Sequence, residues 1–189
     1  LYAAFLAHIR PGDLAVLKEG MWDGYRYGLD QAGGRVVEVS SYDELEDVGP
    51  DGLELVIVNN PQLPSVRERL AEKDVKRLIR FCNQRGAFLL VDEIGNRLSP
   101  DPFSVLSYCD LSKDHVIVTQ SFSKNYFIPQ YKAGYMVAHP EVISKVKRII
   151  DFSGYRISPR SVQAAHAVLC SPQQWQQEKA TLIYKKGTW

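Results

Sequence analysis

Cysteine is scarce in this chain: there are three, at positions 82, 109 and 170, odd in number and far apart. None forms a Cys-x-x-Cys pair or stands at zinc-ligand spacing from a histidine, which argues against a disulfide framework and a structural zinc site and for a reducing, cytoplasmic setting. Long apolar runs are also missing. Phe88-Leu89-Leu90-Val91 is among the most apolar stretches, far short of the roughly 20 residues a membrane-spanning helix needs. No basic region leads into an apolar core at the N-terminus, so no signal segment is expected. Neither sign of charge dominates, with 23 basic against 22 acidic side chains, and bulk electrostatics gives no reason to expect nucleic acid as a partner. The absence of Gly-x-Gly-x-x-Gly and of a P-loop disfavours a nucleotide cofactor. The four histidines, at 8, 115, 139 and 166, lie apart; capped or partly buried roles fit them better than metal ligation, and no metal is expected.

What is present is ordinary globular material: 189 residues, 45% hydrophobic and 24% charged, enough for one sizeable domain burying about 70% of its unfolded-chain surface. Leu1 begins inside an amphipathic pattern and Trp189 closely follows another, so both ends read as cuts. Between them apolar strand-like runs alternate with helical periodicity. Strands are expected at 14–17, 35–39, 55–58, 87–91, 116–119 and 133–138. Helices are expected around Leu1, Phe5 and Ile9, over 23–32, over 74–85, and from Pro140 with Val142, Ile143, Val146 and Ile149 inward. Asp74 reads as the N-cap of the third and Gly86 as its stop. Ser158-Pro159 and Ser171-Pro172 each read as an N-cap followed by proline at the first helical position. Strand, helix, strand at these lengths means parallel pairing, hence an α/β fold with a mostly parallel open sheet flanked by helices.

In such a sheet ligands bind outside the carboxyl ends of the strands. Here those ends are polar: 55–58 leads into Asn59-Asn60-Pro61, 87–91 into Asp92-Glu93, and 116–119 into Gln120-Ser121-Phe122-Ser123-Lys124. An amide, a carboxylate and a lysine flanked by hydroxyls therefore meet at one edge, and a lysine beside a carboxylate suggests Schiff-base chemistry with a carbonyl compound.

The order of these segments resembles the pyridoxal-phosphate-dependent aminotransferases of class I/II, the fold-type I enzymes. Asn60-Pro61-Gln62-Leu63-Pro64-Ser65 is similar to that family's Asn-Pro-x-Asn-Pro-Thr-Gly turn, Val91-Asp92-Glu93-Ile94 to its Val-Asp-Glu strand end, and Ser121-Phe122-Ser123-Lys124 to its Ser-x-Ser-Lys segment, the most specific of the three. The resemblance implies the large-domain fold and pyridoxal 5'-phosphate as cofactor. Lys124 would hold the cofactor aldehyde as a Schiff base and shuttle the α-proton, and Asp92 would pair with the protonated pyridine nitrogen. Ser121, Ser123 and Lys132 would bind the phosphate, Trp22 would stack on the ring, and Asn60, three residues before Leu63 on the same turn, would contact the phenolic oxygen. An amino acid substrate and a homodimer are likewise implied. Residues 1–171 would form most of the large domain, without its N-terminal phosphate turn. Residues 172–189, with Trp175, Leu182 and Ile183 on one face, would begin the helix into an absent small domain.

The departures are specific. Leu63 stands where the family has the asparagine that binds the phenolic oxygen, and leucine has no polar atom. Gly95 stands where many members place a tyrosine with the same task, Lys132 replaces an arginine, and Val66 a glycine. These departures favour an alternative, a catalytically degenerate binding or scaffold protein. A third reading, an acyl-serine enzyme built on Ser121-x-x-Lys124, lacks the companion Ser-Asp-Asn and Lys-Thr-Gly motifs.

Overall fold

The computed structural model describes residues 1–63, 65–99 and 101–187. Pro64 of the turn motif, and Thr188 and Trp189 at the end of the 172–189 segment, lie outside the described residues. Six strands, β1 (Leu14–Lys18), β2 (Arg35–Val39), β3 (Leu53–Asn59), β4 (Phe88–Asp92), β5 (Val116–Ser121) and β6 (Gly134–Ala138), form one sheet in the order β2-β1-β3-β4-β5-β6. All neighbours pair parallel except β5 and β6, which are antiparallel. The helices are α1 (Tyr2–His8), α2 (Gly24–Gln31), α3 (Glu72–Arg85), α4 (Phe122–Asn125), α5 (Pro140–Phe152), α6 (Pro159–Cys170) and α7 (Gln174–Lys186), with 3-10 turns at Tyr42–Asp47, Asn96–Leu98, Val105–Tyr108 and Pro129–Tyr131.

The central strands are apolar on both faces because both faces are covered. On one face Val56, Val58, Leu89, Val91, Val116 and Val118 pack with Val75, Leu78, Ile79 and Cys82 of α3. On the other, Leu55, Ile57, Leu90 and Ile117 pack with Phe5 of α1, Tyr25 and Leu29 of α2, and Val142 and Val146 of α5. Odd and even positions of each strand thus serve different cores. The same alternation, carried past the last apolar residue, decides which polar residues face which side.

Several expected helix ends move. α3 starts at Glu72 with Ala71 before it, so Asp74 is not the cap. Glu72 and Asp74 lie together in the first turn, where acidic charge suits the exposed N–H groups of the helix. Gly86 does terminate α3, in the left-handed conformation at φ 67°. Ser158 caps α6 by accepting from the Ser161 N–H. Ser171, by contrast, ends α6, its hydroxyl donating to the Ala167 carbonyl, and α7 begins only at Gln174. The inward face of α7 is Gln176 and Ala180, while Leu182 is exposed. In α5 Val142 and Val146 are buried and Ile150, rather than Ile149, packs with them. No helix among the described residues is long and apolar enough to cross a membrane.

Candidate active site at the carboxyl edge of the sheet

In register across the three central strands, Asn59 stands opposite Asp92 and Asp92 opposite Thr119. All three continue the strand positions that face α1 and α2, so their side chains converge on one side of the sheet edge. The Asp92 carboxylate is buried and takes three hydrogen bonds. Tyr25 Oη donates to Oδ2 at 2.5 Å; Thr119 Oγ1 and the Ile94 N–H donate to Oδ1 at 3.1 and 3.2 Å. Asn59 Nδ2 in turn donates to Tyr25 Oη at 2.6 Å. Burial pushes the Asp92 carboxyl above its usual range, and the three donors pull against that rise. The same burial, reinforced by the neighbouring carboxylate, raises the Tyr25 phenol, which therefore stays a donor.

Above this floor lies a cavity of about 670 Å³ lined by Trp22, Tyr25, Asn59, Leu63, Asp92, Ile94 and Lys124. A second cavity of about 410 Å³, lined by Ser121, Ser123, Lys132 and Gly134, adjoins it and shares Leu1, Asp92 and Ile94. Lys124 reaches the first from α4, a single turn that begins where β5 ends. Ser121 caps that turn by accepting from the Ser123 N–H at 3.1 Å and donates to the Ala133 carbonyl at 3.3 Å. Burial pushes the Lys124 ammonium below its usual range, and Asp92 opposes the shift. Lys132 is held beside the smaller cavity by a left-handed backbone at φ 48°. Trp22 is 64% exposed, its indole folded over Gly24 and edge-on to Tyr25.

Of the residues singled out in the sequence, Lys124, Asp92, Trp22, Ser121, Ser123 and Lys132 thus line one or other cavity. Asn60 does not. Its position faces the α3 side, where it is buried, accepting from the Leu70 N–H and donating to the Phe103 carbonyl, both at 3.3 Å. Asn59, one residue earlier and on the opposite face, presents its amide to the cavity instead. Tyr25, Asn59 and Thr119 were not picked out by motif. Tyr25 follows Trp22 by three residues, and the other two flank Asp92 in the sheet, so strand register was the signal that finds them.

The departures at 63 and 95 meet in space. A Cβ built on Gly95 would lie 3.1 Å from Leu63 Cδ1, so the leucine covers the glycine and the pair forms an apolar wall. The turn carrying Leu63 is anchored by Gln62, which accepts from Lys18 Nζ at 3.0 Å and donates to the Glu19 carbonyl at 3.3 Å.

Comparison with known proteins brings one family forward. The family described as aminotransferase class I and II matches residues 1–185. A probable aminotransferase of Mycobacterium tuberculosis is 29% identical over 157 residues, covering 81% of this chain and 36% of the relative. A probable aspartate/prephenate aminotransferase of Aquifex aeolicus is 31% identical over 165 residues, covering 77% and 40%. Among solved structures, an aspartate aminotransferase from Thermotoga maritima superposes with a TM-score of 0.84 at 21% identity, covering 94% of this chain and 50% of that one. A methionine aminotransferase from Escherichia coli gives 0.83 at 20%, covering 98% and 50%. The chain spans less than half the length of these curated relatives.

Proposed function

This chain belongs to the class I and II aminotransferases, a pyridoxal-phosphate-dependent family, and from that membership we propose that it carries the cofactor site of a pyridoxal-phosphate enzyme acting on an amino acid, with Lys124 as the Schiff-base residue. Residues 1–171 are read as most of the cofactor-binding large domain and 172–189 as the start of the helix leading out of it. A homodimer and a cytoplasmic setting belong to the same reading.

The observation that carries it is the convergence of Lys124 and Asp92 on one cavity, with two hydroxyls and a cation on the cavity beside it. That donor set fits the cofactor. Ser121, Ser123 and Lys132 suit a phosphate, Asp92 suits a protonated ring nitrogen, and Trp22 offers an apolar face above. Bound there, the cofactor supplies an aldehyde for amines and a ring that accepts electrons. The protein's own part is electrostatic and positional. Asp92 would face the protonated ring nitrogen, and Tyr25, Thr119 and the Ile94 N–H hold its carboxylate in place. Lys124, its ammonium destabilised by burial, is readier than a surface lysine to act as nucleophile and then to carry a proton at Nζ. With Leu63 and Gly95 as an apolar wall, the phenolic oxygen would lack the family's two donors. Family membership does not favour the non-catalytic alternative.

Borohydride reduction in the presence of pyridoxal phosphate tests the reading. Peptide mass spectrometry is expected to find the adduct predominantly on Lys124. Label spread evenly over surface lysines would reject the assignment.

A further inference from the structure

Each strand end that supplies the cavity supplies its next residue to the opposite face of the sheet. There the row is Asn60, Glu93 and Gln120, beneath Asn59, Asp92 and Thr119. Glu93 is completely buried, and the partners of its carboxylate are all neutral. Oε1 accepts from the Val105 N–H at 2.7 Å and Ser104 Oγ at 3.1 Å; Oε2 accepts from Gln120 Nε2 at 2.6 Å and Asn96 Nδ2 at 3.3 Å. The Gln120 carbonyl oxygen then accepts from Asn125 Nδ2 at 2.8 Å, and Asn125 Oδ1 accepts from the Arg97 N–H at 3.0 Å. Asn125 is the last residue of α4 and the neighbour of Lys124. Gln120 precedes Ser121, the cap of the same turn. From the other side Gln176 of α7, itself buried, donates to the Asn125 carbonyl.

The direction of this relay is forced. The N–H groups of Arg97 and Val105 can only donate. Asn125 must therefore turn its oxygen to Arg97 and its NH₂ to Gln120. Gln120 must turn its oxygen to Asn125 and its NH₂ to residue 93. The group at 93 faces donors at both ends, and only a carboxylate accepts on both atoms; an amide always presents one donor to another. Burial pushes the Glu93 carboxyl above its usual range and its four donors pull against that rise, so it is the donor geometry that calls for an acceptor on both oxygens.

We propose that Glu93 is a positioning residue for Lys124: its carboxylate sets the polarity of the Gln120–Asn125 relay, which fixes both ends of the single turn from which Lys124 enters the cavity. The inference rests on reading Lys124 as the reactive amine. Gln176 closes the clamp and ties that turn to α7.

The isosteric Glu93→Gln chain, the exchanged pair Glu93→Gln with Gln120→Glu, and the parent are each treated with pyridoxal phosphate and borohydride, and the Lys124 share of the label is measured beside urea unfolding. The exchanged pair restores a carboxylate that accepts from residue 93 and from Asn125, while the glutamine oxygen still accepts from Val105 and Ser104, and Asn96 turns its amide so that Oδ1 accepts from the glutamine NH₂. Glu93→Gln is expected to lower the Lys124 share roughly tenfold, since small misplacements of a reacting group cost that much or more. The exchanged pair is expected to return it to near the parent. A Glu93→Gln chain that stays folded and keeps the parent's share overturns the proposal. Should Glu93→Gln not fold, the exchanged pair decides: folded with label on Lys124 supports the relay, folded with label dispersed overturns it. A parent in which Lys124 is not preferred rejects the functional reading itself and this inference with it.

Discussion

At the scale of single residues, the positions where the chain leaves its family's pattern turn out to be partners. Leu63 and Gly95 are 32 positions apart, and the leucine side chain occupies the space a larger residue at 95 would need. A tyrosine introduced at 95 alone should therefore overpack the wall and lose about 1–3 kcal/mol. In a Leu63→Asn background much of that loss should disappear, a coupling on the order of 0.5–3 kcal/mol for residues in contact. Urea unfolding of the two single variants and the double variant measures it, and strict additivity would show that the two sites do not share the space. Residue-level motif reading selects Asp92 and Lys124 because their neighbours in sequence are distinctive. It cannot tell the two amides apart: Asn59 and Asn60 are chemically identical, and only the pleat of β3 separates the one facing Tyr25 from the one facing Phe103.

Among the elements, periodicity located every strand to within two residues, the central ones most plainly, because strands apolar on both faces read as short continuous runs. Helix starts were harder. Asp74 and Ser171 are good capping residue types, but α3 begins two residues before Asp74 and Ser171 follows the end of α6; helix ends are the least local feature of a helix. One glycine is demanded by sheet pairing rather than by backbone conformation. Gly134 opens β6 opposite Ser121, and a Cβ there would lie 2.7 Å from the Gln120 carbonyl oxygen. Gly134→Ala should cost about 1–3 kcal/mol by forcing the antiparallel pair apart beside the Lys124 turn. Gly49, where a Cβ meets nothing within 4 Å, should accept alanine within about 0.5 kcal/mol. Thermal unfolding of the two variants side by side checks the contrast, and equal effects would refute it.

For the molecule as a whole, the edge of the sheet opposite the cavities carries a pH dependence. His8 ends α1 against the ring of Phe88, its Nε2 buried without a hydrogen-bond partner. Burial, helped by Lys145, pushes its pKa down to about 4. The unfolded chain protonates this histidine near pH 6.5 and the folded chain only near 4, so between those values the unfolded state binds more protons and folding weakens as the pH falls. The difference corresponds to at most about 3 kcal/mol. The raised carboxyl of Asp92 acts in the opposite sense, so the comparison must be with a variant. His8→Phe should lose less than the parent between pH 7 and 4, by up to about 3 kcal/mol, and parallel unfolding curves would exclude the effect. The sequence by itself determined the alternation of strands and helices, the α/β class, and the three strand ends that hold the candidate site. Each is local, written in hydrophobic period and in short motifs whose members are neighbours along the chain. Tertiary structure alone decided which side of the sheet each polar residue serves, the Tyr25–Asp92–Thr119 contacts, the meeting of Leu63 with Gly95, and the relay from Glu93 to Asn125. Those depend on register between strands and on packing between segments far apart in the chain, where residue type constrains which contacts are allowed but not which are made.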